Sequence, residues 1–90
     1  MVMILCSMYD HITNKFSPPM AFESWDYAYA SVRRQTRDMF KANQITLDAL
    51  KDSTFSMIGT FNTEDASIEN ASEFDLFVDC CDLVEDMVKE

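Results

Sequence analysis

Three periodicities in chain order predict an α+β domain: an apolar run over residues 1–9, a helical stripe from Trp25 to Phe40, and a period-two segment from Thr54 to Phe61. The expected architecture is an antiparallel sheet of three or four strands packed against one amphipathic helix, with an acidic C-terminal helix added. Ninety residues hold a single domain (1–90), divided into a body over 1–69 and a helix over 72–90. With 48% apolar and 12% aromatic residues the chain can build a core, which takes it out of the disordered class. One Gly and two Pro leave few sharp turns, so most of the length is expected in regular elements.

The first segment, MVMILCSMY, is apolar on both faces, as a strand covered on each side would be. It is far short of the roughly 20 residues a membrane-spanning helix needs. It also lacks the basic flank and cleavage pattern of a signal peptide. Residues 10–14 predict a turn. KFSPPMAFE then sets Phe16, Met20 and Phe22 in step with a strand, and its two prolines, which cannot donate to a ladder, confine it to a sheet edge.

Ser24 is placed to cap a helix over 24–42 whose first turn carries Asp26. At about 100° per residue, Trp25, Ala28, Tyr29, Val32, Thr36, Met39 and Phe40 fall in an arc of roughly 120°, the width of a core-facing stripe. Arg33, Arg34, Arg37 and Lys41 occupy an adjoining arc of roughly 100°, with Tyr27 near its edge. Residues 44–53 predict one or two helical turns. In TFSMIGTFN, Phe55, Met57, Gly59 and Phe61 alternate with Thr54, Ser56, Ile58 and Thr60, as in a strand. TEDASIE predicts a turn and a short return strand through Ile68, with the expected turn glycine missing.

Ser72, with Asp75 three residues on, predicts the start of the last helix. On an α-helical wheel Asp75, Asp79, Asp82, Asp86 and Glu90 gather within roughly 80°, and the apolar residues between Phe74 and Val88 span roughly 220°. That apolar face is wider than one contact requires. Either the helix is wedged between two surfaces of the chain, or it joins a homodimer.

Charge is distributed unevenly. Residues 1–61 carry six acids and six bases, whereas residues 62–90 carry ten acids against Lys89 alone, which accounts for the whole formal charge of -9. Catalysis finds little material. His11 is the only histidine, no phosphate-cradling loop can be built from one glycine, and Cys80 and Cys81 have no second ligand pair at metal spacing. No enzyme, cofactor or metal is expected. Three cysteines do not form a disulfide framework, which points to a reducing, cytoplasmic setting.

The basic stripe is the candidate nucleic-acid site: Arg33, Arg34, Arg37 and Lys41 for phosphates, with Tyr27, and Tyr9 if accessible, for base stacking. The competing reading pairs these cations with the acidic helix or leaves them solvated. If the two lie together, the acids compete with DNA for the arginines and binding is autoinhibited. The alternative function is an acidic protein-interaction module, a DNA mimic or host-factor inhibitor, acting through Asp75, Asp79, Asp82 and Asp86.

The succession YDHITNKFSPPMAF, AYASVRRQTRDMF and DSTFSMIGTFNTEDASI resembles the small nonstructural protein of gokushoviruses and related microviruses, which are single-stranded DNA phages. The corresponding positions are Tyr9 and Asp10, Pro19, Ala30 with Arg33, Asp52, and Ile58, Gly59 and Phe61, so the likeness covers about two thirds of the chain. The chain departs from the pattern at Ser53, at Ala66 where the turn should have glycine, and in the acidic stretch from Glu73. The resemblance implies a nonstructural, DNA-binding protein of the host bacterial cytoplasm. Its role would be in genome replication or the switch to single-strand synthesis, with single-stranded DNA and a host or phage replication protein as partners and no membrane.

Overall fold

The computed structural model describes residues 1–71 and 75–88. The elements in order are β1 (Val2–Asp10), β2 (Lys15–Phe16), β3 (Met20–Phe22), α1 (Trp25–Lys41), α2 (Leu47–Lys51), β4 (Ser53–Asn62), β5 (Ile68–Asn70), β6 (Phe77–Asp79) and a 3-10 helix (Cys80–Met87). The α+β class and the antiparallel sheet are as the sequence predicts.

The sheet is built on a long ladder between β1 and β4, running from Val2 opposite Asn62 to Asp10 opposite Ser53. Each edge is a broken strand. β2 and β3 both pair with β1 on one side, and β5 and β6 both pair with β4 on the other. Six strands thus make a sheet four positions wide. On the first edge the break falls at Pro18 and Pro19, which have no N–H to give. Ser17 repairs the ladder there: its hydroxyl accepts the Met8 N–H at 3.0 Å and its carbonyl accepts the Ser7 hydroxyl at 2.7 Å.

The second break faces a β-bulge. Leu5 lies opposite Gly59 but Cys6 lies opposite Met57, so Ile58 is the extra residue. Its carbonyl accepts the N–H of Ala71, and the N–H of Met57 donates to the Leu76 carbonyl, so the chain leaves the sheet edge beside the bulge. The bulge corrects the uniform alternation expected for β4. Phe55 and Met57 share a face with Met8 and Cys6, whereas Gly59 and Phe61 lie on the opposite face with Leu5 and Met3. Gly59 also permits a close approach, because a Cβ there would run into the Glu69 carbonyl of β5.

One face of the sheet holds the core. Cys6 and Phe55 are buried against Ala28 and Val32 of α1, Leu50 of α2, and Cys80, Leu83 and Val84 of the 3-10 helix. Trp25 stacks on Phe55 at 5.8 Å between ring centroids, and Phe22 meets the same ring edge-on at 6.4 Å. The Ser24 cap is as predicted, and α2 has a cap of its own at Thr46. Ser24 accepts the Tyr27 N–H at 3.1 Å and Thr46 accepts the Ala49 N–H at 3.2 Å, each satisfying an N–H that the first helical turn leaves open.

The acidic helix expected over 72–90 is not what forms. Phe77–Asp79 is a strand on β4, and Cys80–Met87 is a 3-10 helix. Ser72, Glu73 and Phe74 at the expected helix start, and Lys89 and Glu90 at its end, lie outside the described residues. At three residues per turn, Cys80, Leu83 and Asp86 form one ridge, Cys81, Val84 and Met87 a second, and Asp82 and Glu85 a third. Cys80, Leu83 and Val84 are fully buried. Two apolar ridges out of three give the wide arc that an α-helical wheel reports. The helix is wedged against α1, α2 and β4. The width that suggested a homodimer is therefore taken up within the chain.

Candidate functional site

The four predicted cations lie on α1 but divide into two groups. Arg37 is turned toward the 3-10 helix: its Nη1 donates to the Leu83 carbonyl at 3.2 Å, and its two amino groups fork onto the Asp86 carboxylate, with Nη2 to Oδ2 at 3.2 Å. Its side chain is only 19% exposed. The hydrogen bonds from Arg37 hold Asp86 below the ordinary carboxylate value, and the charges of Arg37 and, more weakly, Arg33 act in the same direction. Arg33, Arg34 and Lys41 are exposed. Tyr27 is 62% exposed and stands seven residues before Arg34, as Arg34 does before Lys41. Seven residues are close to two helical turns, so these three side chains form one stripe on the side of α1 away from Ala28, Val32 and Thr36.

The acids expected in one row are separated. Asp86 holds Arg37. Asp79 lies at the end of β6, where its Oδ1 accepts the Thr54 hydroxyl at 3.1 Å. Asp82 is on the solvent ridge of the 3-10 helix, and Asp75 precedes β6 in an exposed position. A continuous carboxylate stripe requires one α-helix through all four, and the change from strand to 3-10 helix at Asp79 and Cys80 removes it.

The other face of the sheet carries a feature that periodicity did not reveal. A groove of about 360 Å³ is lined by Tyr9, His11, Phe16, Thr54, Ser56 and Phe77. Register explains the grouping, because Tyr9 is opposite both Phe16 and Thr54, and Ser56 is opposite both Ser7 and Phe77. The lining is mostly aromatic, with Ser56 buried at its base and Ser7 buried opposite Ser56 on β1. The Tyr9 ring packs against Phe16 at 4.6 Å and His11 at 4.9 Å, and its hydroxyl donates to Asn14 at 2.9 Å. His11 Nε2 meets the Thr54 hydroxyl at 2.8 Å. Since that hydroxyl donates to Asp79, its oxygen is left to accept from the imidazole.

The thiols belong to the core. Burial pushes Cys6 up to about 11, and burial with the nearby Asp79 charge pushes Cys80 up to about 12, so both remain neutral. Cys80 Sγ packs on Met8 Sδ at 3.0 Å. Among the described residues no group of three or more His, Cys, Asp or Glu is placed to hold a metal ion, and no helix is long and apolar enough to cross a membrane.

Comparison with protein-family models, with curated proteins and with solved structures finds no match.

Proposed function

We propose that this chain is a non-catalytic accessory protein of genome replication in a small single-stranded DNA phage, binding single-stranded DNA weakly along α1. The observation that carries the proposal is the exposed stripe of Tyr27, Arg34 and Lys41 with Arg33 beside it, on a helix whose opposite side is anchored in the core. The cations meet phosphates and Tyr27 offers a ring for stacking. Arg37 is held in reserve by Asp86, so among the described residues the autoinhibition inferred from charge rests on this ion pair.

The family likeness supports this reading at a particular residue. Ala66, which stands where the family's turn has glycine, adopts a φ of 61°, the left-handed conformation that glycine tolerates best. In this reading the protein acts in the host bacterial cytoplasm beside a replication protein of the phage or host.

Fluorescence anisotropy with labelled oligo(dT) tests the proposal. Three phosphate contacts give a slope of log K against log salt of about -2 for a single strand. Replacing Arg33, Arg34 and Lys41 by Gln should abolish binding in a chain that keeps its circular dichroism. Asp86→Asn should tighten binding and steepen the slope by about 0.7, the share of one further phosphate. Absence of binding by the parent at low salt, or full binding by the triple variant, would overturn the proposal.

A further inference from the structure

We infer that the outer face of the sheet is a docking site for a cationic segment of a partner protein that inserts an aromatic or large apolar side chain into the groove between Tyr9 and Phe77. This site is distinct from the α1 stripe and does not depend on DNA binding there.

The first observation is apolar exposure in register. Phe77 is 56% exposed and Ile68 63% exposed, and both project from the edge strands on the side away from the helices. Isolated exposed apolar residues are ordinary. Here Phe77 lines a formed depression, and Ile68 stands farther along the same face, opposite Phe61. The depression's volume, about 360 Å³, is at the small end of ligand sites and accommodates an aromatic side chain. Ser56 is buried at its base, so an inserted ring meets packed side chains and displaces solvent from Tyr9 and Phe77.

The second observation is charge. All six bases among the described residues lie elsewhere: Arg33, Arg34, Arg37 and Lys41 are on α1, Lys51 is on α2, and Lys15 is opposite Asp10, whose side of the sheet is that of Met8 and Cys6. Asp79 stands beside the groove, holding the hydroxyl of Thr54 in its lining, and exposed Asp75 lies four residues earlier in the chain. Glu64 and Asp65 occupy the β4–β5 turn at the far end of the same sheet edge. A carboxylate accepts several hydrogen bonds, so Asp79 retains acceptor capacity beyond Thr54.

An aromatic-lined groove with a carboxylate beside it and, among the described residues, no cation near attracts Lys or Arg through ion pairing and through the ring faces, and disfavours a phosphate chain. The same repulsion disfavours a second copy of this chain on that face. Of the macromolecules that use an aromatic sheet surface, a basic peptide segment is the one these charges complement.

The probe is a labelled hexapeptide of alternating lysine and phenylalanine, with a lysine–serine peptide of equal charge as its control. The Lys-Phe peptide should bind the full chain at least tenfold more tightly, and Phe77→Ser should reduce it to the level of the control. In the unaltered protein, amide shifts on addition of the Lys-Phe peptide should concentrate at Thr54, Ser56 and Phe77. Equal affinity for the two peptides, or shifts that avoid these residues, would overturn the inference. So would oligo(dT) shifting the same amides, or a dimeric mass in light scattering that Phe77→Ser abolishes.

Discussion

The two faces of this sheet share their strands, yet among the described residues one is covered by three helices and the other is not. On the covered face Phe55 is buried completely between Trp25 and Phe22. On the open face Phe77, from a strand paired directly with Phe55's own, is 56% exposed. The residue type is the same and the positions are neighbours. What differs is the layer above, and an aromatic left uncovered in a regular ladder is available for contact with something else.

The largest expected effect tests that difference. Phe55→Ala should cost about 3–5 kcal/mol in urea unfolding, the usual loss for truncating a buried aromatic. Phe77→Ala should cost less than about 1 kcal/mol, because solvent already reaches most of its ring. Comparable losses would mean that both faces act as core and that no free surface exists.

A gain of stability is expected next. Ala66 holds a φ of 61° in the turn that leads β4 into β5, a conformation that costs a residue with a Cβ about 1–2 kcal/mol. Ala66→Gly relieves this at some entropic cost, and should raise stability by about 0.5–1 kcal/mol in the same measurement. It should also firm the hairpin that presents Phe61 and Ile68 on the open face. Asn14 and Asn43 have similar angles, φ 58° and 57°, and asparagine tolerates them, so glycine there should gain little.

The smallest effect concerns the helix layer. Hydrogen bonds from Arg37 lower the value of Asp86 from 3.8, so its contribution to stability is present above that unfolded value. It is lost as pH falls through the lowered folded value. Asp86→Asn should therefore be less stable than the parent at pH 7, and the gap should close on acidification below about pH 4. A gap that persists in acid would show that the pair does not act through the carboxylate charge.

Much of the covered face was legible in the sequence. The helix over 24–42, its Ser24 cap, the strand through Phe55 and the edge position of the Pro-Pro segment follow from periodicity and local chemistry. The open face was illegible at three aromatics. The Pro18–Pro19 detour puts Phe16 out of step with Met20 and Phe22: Phe16 is opposite Tyr9 on the open side, whereas Met20 is opposite Cys6 on the covered one. The Ile58 bulge sends Phe61 to the face opposite Phe55. Phe77 was assigned to a helix and stands in a strand. The first two are one-residue changes of phase, which in a strand reverse the side, and the third is a change of element.

The last segment gave no such signal: in CCDLVEDM the apolar residues 80, 83, 84 and 87 have the spacing of an α-helical face, and the 3-10 form is set by packing.

By itself the sequence determined the α+β class, the capped amphipathic helix, the neutral body and the acidic final third, because composition, capping and hydrophobic period are local properties. Only the tertiary structure decided that Arg37 faces Asp86 while Arg33, Arg34 and Lys41 face solvent, and that Tyr9, Phe16 and Phe77 line one groove across four strands. Those groupings depend on register, and register is set by which distant strands pair and where the ladder slips, which no local pattern records.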